Sequence, residues 1–357
     1  MKYRLGDLAQ IKYGKDHKKI KDGNIPVYGT GGLMRKVNEY LYNGDSVLIP
    51  RKGSLNNVMY VTGKFWTVDT MFWTQVNKDK VLPKYLYYCL SKMDLEALNV
   101  GSAVPSLTIK ILNEIVLDIP SLDKQVKIIN KFKPIEEKMS LNTQINDNLS
   151  KLQQLNLSQL INRKLYKIVK IGDLEIIVSD HVANGSFKSL KDNVSYFDNP
   201  NYALFIRNID FKKDLDGNKK YIDKKSYNYL KKSHLFGGEV VISNVADVGS
   251  VHRVPFIKKP MVVGNNQIFI KSKHFSMTDY LYVYFQSFWG QSSISSITSG
   301  SAQQKFNKTD FRSLEIPIPS EKWILSNISP YVTLQDKIFN ENQSLKQIKA
   351  TLLNHCF

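Results

Sequence analysis

The chain has 357 residues, 42% hydrophobic and 23% charged, a globular composition with enough length for two domains that each bury a core. Fifty Lys and Arg against 32 Asp and Glu give a formal net charge of +18, so a polyanionic partner such as nucleic acid is expected, although the abundance of Lys, Asn and Ile also fits a Lys-rich coding bias. Two cysteines, Cys89 in an apolar run and Cys356 beside the carboxyl terminus, argue against a disulfide framework or a cysteine-based metal site; with no apolar run of membrane-spanning length and no signal-like amino terminus, a soluble cytoplasmic protein is expected.

Residues 1 to 120 read as a mixed α/β unit of short pieces. Leu5-Gly6-Asp7-Leu8 opens it, and Ile25 to Gly32 forms a short strand ending in a glycine-rich turn. A strand at Ser46 to Pro50 leads into Arg51-Lys52-Gly53-Ser54. Asn57 to Val61 and Phe65 to Val76 are rich in β-branched and aromatic residues and read as further strands. Lys84 to Leu98 has Leu86, Cys89, Leu90, Met93 and Leu98 at helical core spacing.

From Ser121 the period changes. Ile128, Phe132, Ile135, Met139, Asn142, Ile145, Leu149 and Leu152 recur every three or four residues, with Pro134 as the only breaker. Residues 121 to 165 therefore read as one long helix or a kinked pair, roughly 65 Å at the helical rise, which is the length of a spacer.

The second half repeats the first. Residues 101 to 120 and 300 to 319 align without a gap, each beginning Gly-Ser-Ala and closing on Ile-Pro. Ile171-Gly172-Asp173-Leu174 echoes Leu5 to Leu8, Gly238 to Ser243 echoes Gly44 to Ile49, and Asp279 to Phe285 echoes Pro83 to Cys89. The second copy, residues 166 to 319, carries an insertion; residues 205 to 235 hold nine Lys or Arg against four Asp. A second heptad-like run then fills residues 320 to 357, through Ile328, Tyr331, Gln335, Ile338, Asn342, Leu345, Lys349 and Leu352.

The order is domain, long helix, domain, long helix. Each helix has an apolar seam that is unstable alone in water, and the simplest partner for each is the other. The expected architecture is α+β: two similar mixed α/β domains separated by two long antiparallel helices forming a coiled coil, a pseudo-two-fold internal repeat. Asn142, Gln335 and Asn342 are seam polars suited to setting register. The alternative is that each helix folds back on its own domain.

Catalytic signatures are missing. There is no Asp-Pro-Pro-Tyr or Asn-Pro-Pro-Phe segment for gripping a flipped adenine, Asp198-Asn199-Pro200-Asn201 being the nearest, and no phosphate-binding Gly-x4-Gly-Lys loop. The six histidines lack metal-ligand spacing. The chain reads as one that binds and positions, with turns rich in Gly, Ser, Asn, Gln and Lys or Arg as candidate surfaces, since such residues reach phosphates and read base edges. In the first domain these are Tyr28, Thr30, Arg51, Lys52, Ser54, Ser102 and Ser106. The second offers Arg207, Asn208, Asn244, Asn265, Asn266, Gln267, Gln303, Gln304, Lys305 and Asn307. Local turn bonding is the structural alternative for each. Two other functions stay open: a self-contained DNA methyltransferase or nuclease, and a tandem RNA-binding adaptor, the last disfavoured because the tyrosine runs (Tyr85, Tyr87, Tyr88; Tyr280, Tyr282, Tyr284) sit at core positions.

The Ile25 to Gly32 turn, Leu48 to Ser54, the Gly-Ser-Ala stretch with its Ile-Pro ending and the helix after it, all doubled, resemble the specificity subunit of type I restriction-modification systems across nearly the whole chain. The family often has Glu-Gln at the start of each conserved helix; here the first helix keeps Gln125, while the second has Trp323 there. The resemblance implies a non-catalytic subunit whose two target-recognition domains each read half of a bipartite double-stranded DNA site, while the helices fix the unread spacer and dock two modification subunits. It also implies that S-adenosylmethionine belongs on those methyltransferase partners, with ATP and Mg²⁺ in the complex with restriction subunits. Two domains on a rigid rod suit major-groove segments about one turn, roughly 34 Å, apart.

Overall fold

The computed structural model describes residues 1–101, 104–300 and 303–357. They form two compact units, Met1–Ser140 with Ser344–Phe357, and Leu141–Gln343.

In the first unit an antiparallel sheet has the strand order Ala9–Tyr13, Met71–Val76, Ser46–Pro50, Met59–Val61. A second sheet orders Gly32–Val37, Asp22–Gly29, Lys64–Thr67 and Tyr42–Asn43, with one parallel pair at its centre. The strand Ser46–Pro50 is buried on both faces, and strand alternation divides it: Val47 and Ile49 join the core under the helix Pro83–Lys92, while Leu48 joins the core shared with the second sheet. Ser46, fully buried, donates to the Thr74 carbonyl at 2.7 Å, which satisfies its hydroxyl.

The second unit repeats this plan. Its antiparallel sheet runs Ile176–Asp180, Gln267–Ser272, Val240–Ser243, Val251–Arg253, and its second sheet again centres on a parallel pair, Ala203–Ile206 beside Met261–Val263. Val240 and Ile242 face the core under the helix Phe275–Gln286, and Val241 faces the other. The insertion adds the strand Tyr196–Phe197 at the sheet edge and the short helices Phe187–Asn193, Asn208–Lys212 and Lys224–Tyr229. In each unit a two-stranded ribbon closes the repeat: Lys2–Arg4 with Val116–Asp118, and Tyr166–Lys170 with Glu315–Pro319.

The first long helix is Leu122–Asn162, 41 residues and about 60 Å long, and it runs unbroken through Pro134. Its partner is interrupted where one helix was expected over 320 to 357: Glu321–Asn327 and Ser329–Cys356 are separated at Ile328 (φ −125°, ψ −58°), with Pro330 in the first turn of the second piece, where no N–H is needed. Within the second unit the helices pair antiparallel. Asn142, 1% exposed, donates to Glu341 Oε2 and Asn342 Oδ1, both at 2.8 Å, and Gln153 donates to Gln335 Oε1 at 2.9 Å. The first unit shows the same direction, with Lys349 Nζ 2.8 Å from Glu136.

Three other expectations change. The helix expected over Lys84 to Leu98 stops at Lys92, because Met93 turns extended, and a 3₁₀ turn capped by Asp94 covers Leu95–Leu98. The expected strand Phe65 to Val76 is two strands, broken by a turn in which Met71 N–H reaches the Val68 carbonyl. The counterpart of Gln125 is Ile324 rather than Trp323: each is the first buried residue of its helix, with its N–H on the carbonyl of Ser121 or Ser320. Gln125 makes three bonds to the loop around it, through Leu82 N–H, the Lys80 carbonyl and the Pro120 carbonyl, and Ile324 replaces them by apolar contact.

Candidate nucleic-acid interface

At one end of the first unit's antiparallel sheet, residues 51–54 leave the strand Ser46–Pro50 and are held by two neighbouring segments. Arg51 N–H donates to the Thr70 carbonyl at 2.8 Å, Leu107 N–H to the Arg51 carbonyl at 2.9 Å, and Gly53 N–H to the Pro105 carbonyl at 3.0 Å. The second unit builds the same platform. Asn244 N–H donates to the Asn266 carbonyl at 3.0 Å, Phe306 N–H to the Asn244 carbonyl at 3.1 Å, and Ala246 N–H to the Gln304 carbonyl at 3.1 Å. Bridges between Lys52 and Ser106 and between Val245 and Lys305 complete the match. Even the left-handed backbone recurs, at Gly53 (φ +87°) and at Ala246 (φ +64°).

The scaffold is shared and the side chains differ, with Arg51, Lys52 and Ser106 standing where the second unit has Asn244, Val245 and Lys305. Arg51 is aimed by a bond to the Asp69 carbonyl (3.1 Å) and lies 5.3 Å from the centre of the Tyr13 ring. Asn57 donates to the Thr30 carbonyl at 2.5 Å, which brings the glycine-rich turn to the same loop. Tyr28, half-buried, is on the adjoining strand, and Ser54 is exposed. Ser106 N–H is held by Asn99 Oδ1 at 2.8 Å. Ser102 lies outside the described residues.

In the second unit Asn265, Gln303, Gln304 and Lys305 are exposed on the platform, and Asn266 (φ +63°) forms its turn. Other candidates are bonded internally. Asn244 Nδ2 donates to the Phe306 carbonyl (3.0 Å), and Asn307 caps the helix Lys308–Ser313 through Asp310 N–H (2.9 Å). Gln267 is buried and donates to the Ile206 carbonyl at 3.0 Å, so it braces the strand end. Arg207 forms a bidentate pair with the buried Asp210, at 2.9 and 2.7 Å, and reaches the Asn218 carbonyl. The pair raises the pKa of Arg207 further.

Asn208 belongs to a network that sequence reasoning missed. Its Nδ2 donates to Asp247 Oδ2 at 2.6 Å, leaving Oδ1 as the acceptor 2.8 Å from His252 Nε2, so that nitrogen carries the proton. Asp247 also takes Lys212 at 2.7 Å, and the His252 ring stacks on Phe211. Burial first, and the Lys212 charge second, push the His252 pKa down to about 4. The ring is therefore neutral near pH 7 and fixes the direction of the Asn208 amide. A lone histidine gave no sequence signal; only its place just after the repeated loop marks it. Tyr13, Asn57 and Asn99 were likewise silent until the loops they hold came together.

A family model described as the type I restriction modification DNA specificity domain matches residues 1–151 and 164–350. A putative type I specificity subunit of Mycoplasma pneumoniae is 33% identical over 136 residues, 35% of this chain and 44% of that protein. Another from the same organism is 29% identical over 211 residues, 54% of this chain and 57% of that one. The chain thus spans about half the length of these curated relatives. The crystal structure of a type I restriction-modification system S subunit from M. genitalium, 16% identical, superposes with a TM-score of 0.53 over 100% of this chain and 96% of that one, which shows a shared fold. With two matched segments that each carry one copy of the three-segment platform, the chain belongs to the type I restriction modification DNA specificity domain family.

Proposed function

We propose that the chain is the sequence-specific DNA-recognition subunit of a type I restriction-modification complex and is itself non-catalytic. Each unit reads one half of a bipartite double-stranded target. The observation that carries this is the doubled platform, in which one backbone scaffold presents two different side-chain sets. Fixed loops lower the ordering cost of binding, exposed Lys52 and Lys305 suit phosphates, and Asn and Gln amides suit adenine edges. Because the two sets differ, the two half-sites differ in sequence.

The long helices dock the modification subunits, a role supported by the exposed Leu141, Leu152 and Leu155 on the first and Leu334 on the second. S-adenosylmethionine is used by those methyltransferase partners, and ATP and Mg²⁺ by the complex with restriction subunits. The complex works in the cytoplasm; among the described residues no helix is long and apolar enough to cross a membrane.

The test is a swap of residues 1–120 for the matching segment of another family member, followed by methylome sequencing of cells that also express the modification subunit. One half-site is expected to change while the other stays. A change in both halves overturns the assignment of one half-site per unit.

A further inference from the structure

The second unit exposes a cluster of large apolar side chains at the sheet end opposite its platform. The strand Val240–Ser243 exits into Asn244 but is entered through Gly237, Gly238 and Glu239, and Gln267–Ser272 begins after Asn266 and ends beside them. Around that far end stand Phe236, Phe256 and Phe275, 59%, 42% and 55% exposed, and Ile177, 58% exposed, the cross-strand partner of Lys271. Lys271 Nζ lies 4.2 Å from the centre of the Phe236 ring, and Phe256 meets Phe275 edge to face.

At the base of the cluster the Phe256 and Phe275 rings pack directly on glycine backbone. Gly237 (φ +111°) and Gly238 (φ +85°) hold a conformation that other residues avoid, and a Cβ would come within 2.4 Å of Phe256 at the first and 2.8 Å of Phe275 at the second. Above it is a cavity of about 310 Å³, the size of one large side chain with room to spare. Glu239, buried beneath, accepts Phe236 N–H at 2.9 Å and Gly237 N–H at 2.8 Å, so its carboxylate is engaged inward. The rim carries Lys271 and Lys273, with Lys258 two residues after Phe256, while Asp173, Glu175 and Glu321, the last accepting from Ser276 Oγ at 3.1 Å, line a separate cavity beyond Ser272. In the first unit the same place is closed: Tyr42 packs on Phe65 and Trp73, and Lys78 pairs with Asp45 at 3.3 Å.

We propose that this patch docks an acidic protein segment, one apolar side chain seated in the cavity between Phe236 and Phe275 and flanking carboxylates set against Lys271, Lys273 and Lys258. A second copy of the chain, at +18, would be repelled. Duplex phosphates gain nothing from exposed phenylalanines, and the proposal takes from the DNA-reading assignment only which end of the sheet the nucleic acid occupies. Since one unit carries the patch, one segment binds per chain.

The test uses the full chain and two fluorescent decapeptides, each with a central tryptophan, one flanked by glutamates and the other by lysines. The glutamate peptide is expected to bind one to one by anisotropy, weakening about tenfold or more in a Phe236→Ser, Phe275→Ser double variant and losing to the lysine peptide in Lys271→Glu. Circular dichroism melts identify variants that have kept the fold. Equal affinity for the two peptides, equal affinity of wild type and folded variant, or no saturable binding overturns the proposal. So does displacement of the peptide by duplex DNA, which would make the patch a nucleic-acid surface, or a self-association by sedimentation that the double variant abolishes.

Discussion

Ala246 and Gly53 occupy one backbone position in two side-chain versions, and the difference has an energy. A left-handed backbone costs an L-residue roughly 1–2 kcal/mol, part of which glycine gives back as extra unfolded-state freedom. Gly53→Ala meets only Thr30 Oγ1, at 3.8 Å, so it is expected to lose about 1 kcal/mol through φ alone, while Ala246→Gly gains a few tenths; denaturant unfolding of both variants checks the opposite signs. His252 gives a pH signature. Its folded pKa, about 4, lies below the ordinary histidine value. Between pH 6.5 and 4 the unfolded chain binds a proton that the folded ring refuses, so this contribution is complete above pH 6.5 and is lost as pH falls. The melting-temperature gap between wild type and His252→Gln is expected to narrow from pH 7 to pH 4.5; a constant gap would contradict a neutral, buried ring. Among the sequence candidates, Arg51, Lys52, Ser106 and Lys305 fall on the doubled platform because they flank the repeated Gly-Ser-Ala stretch or the strand before it. The internal bonding of Asn244, Gln267 and Asn307 left no such trace, since an amide at a turn has the same spelling whether it faces a base or the chain's own backbone.

Helices and sheets followed sequence periodicity where one face decided the outcome. The alternation in Ser46–Pro50 placed Val47 and Ile49 opposite Leu48, and the three-and-four spacing through Phe132 and Leu149 gave the long helix. Boundaries set by single backbone torsions, at Met93 and Ile328, left no periodic trace. Tertiary ionic contacts were equally silent: Arg253, on its strand, holds Asp279 of the helix Phe275–Gln286 at 2.8 Å and Asp336 of the second long helix at 3.0 Å, with all three side chains largely buried. Burial pushes the pKa of both carboxylates up despite the guanidinium between them. Arg253→Met strands two acids in the interior and is expected to cost about 3–5 kcal/mol near pH 7. Protonation then relieves it, so thermal melts should show the deficit shrinking toward pH 5, and a pH-independent deficit would mean lost packing rather than stranded charge.

At the scale of the whole molecule, and on the proposed function, the charge of +18 would govern encounter with DNA. Affinity should fall steeply with salt, and Lys52→Ala is expected to lower the log–log slope by about one if that side chain meets a phosphate; titrations at several salt concentrations read it directly. The doubled architecture was visible from the repeat at 101–120 and 300–319, whereas the division of the helices between units was not, because a periodic seam does not say which stretch packs on which core. That division has a temporal consequence. The first unit is discontinuous: residues 344–357 return to it, where Phe357 packs on Tyr85 and Tyr88 and Lys349 reaches Glu136. On the ribosome those residues emerge only after the entire second unit, so the first unit, whose buried cluster is drawn from residues 5–119, receives this covering strip of helix only once the second unit has been made.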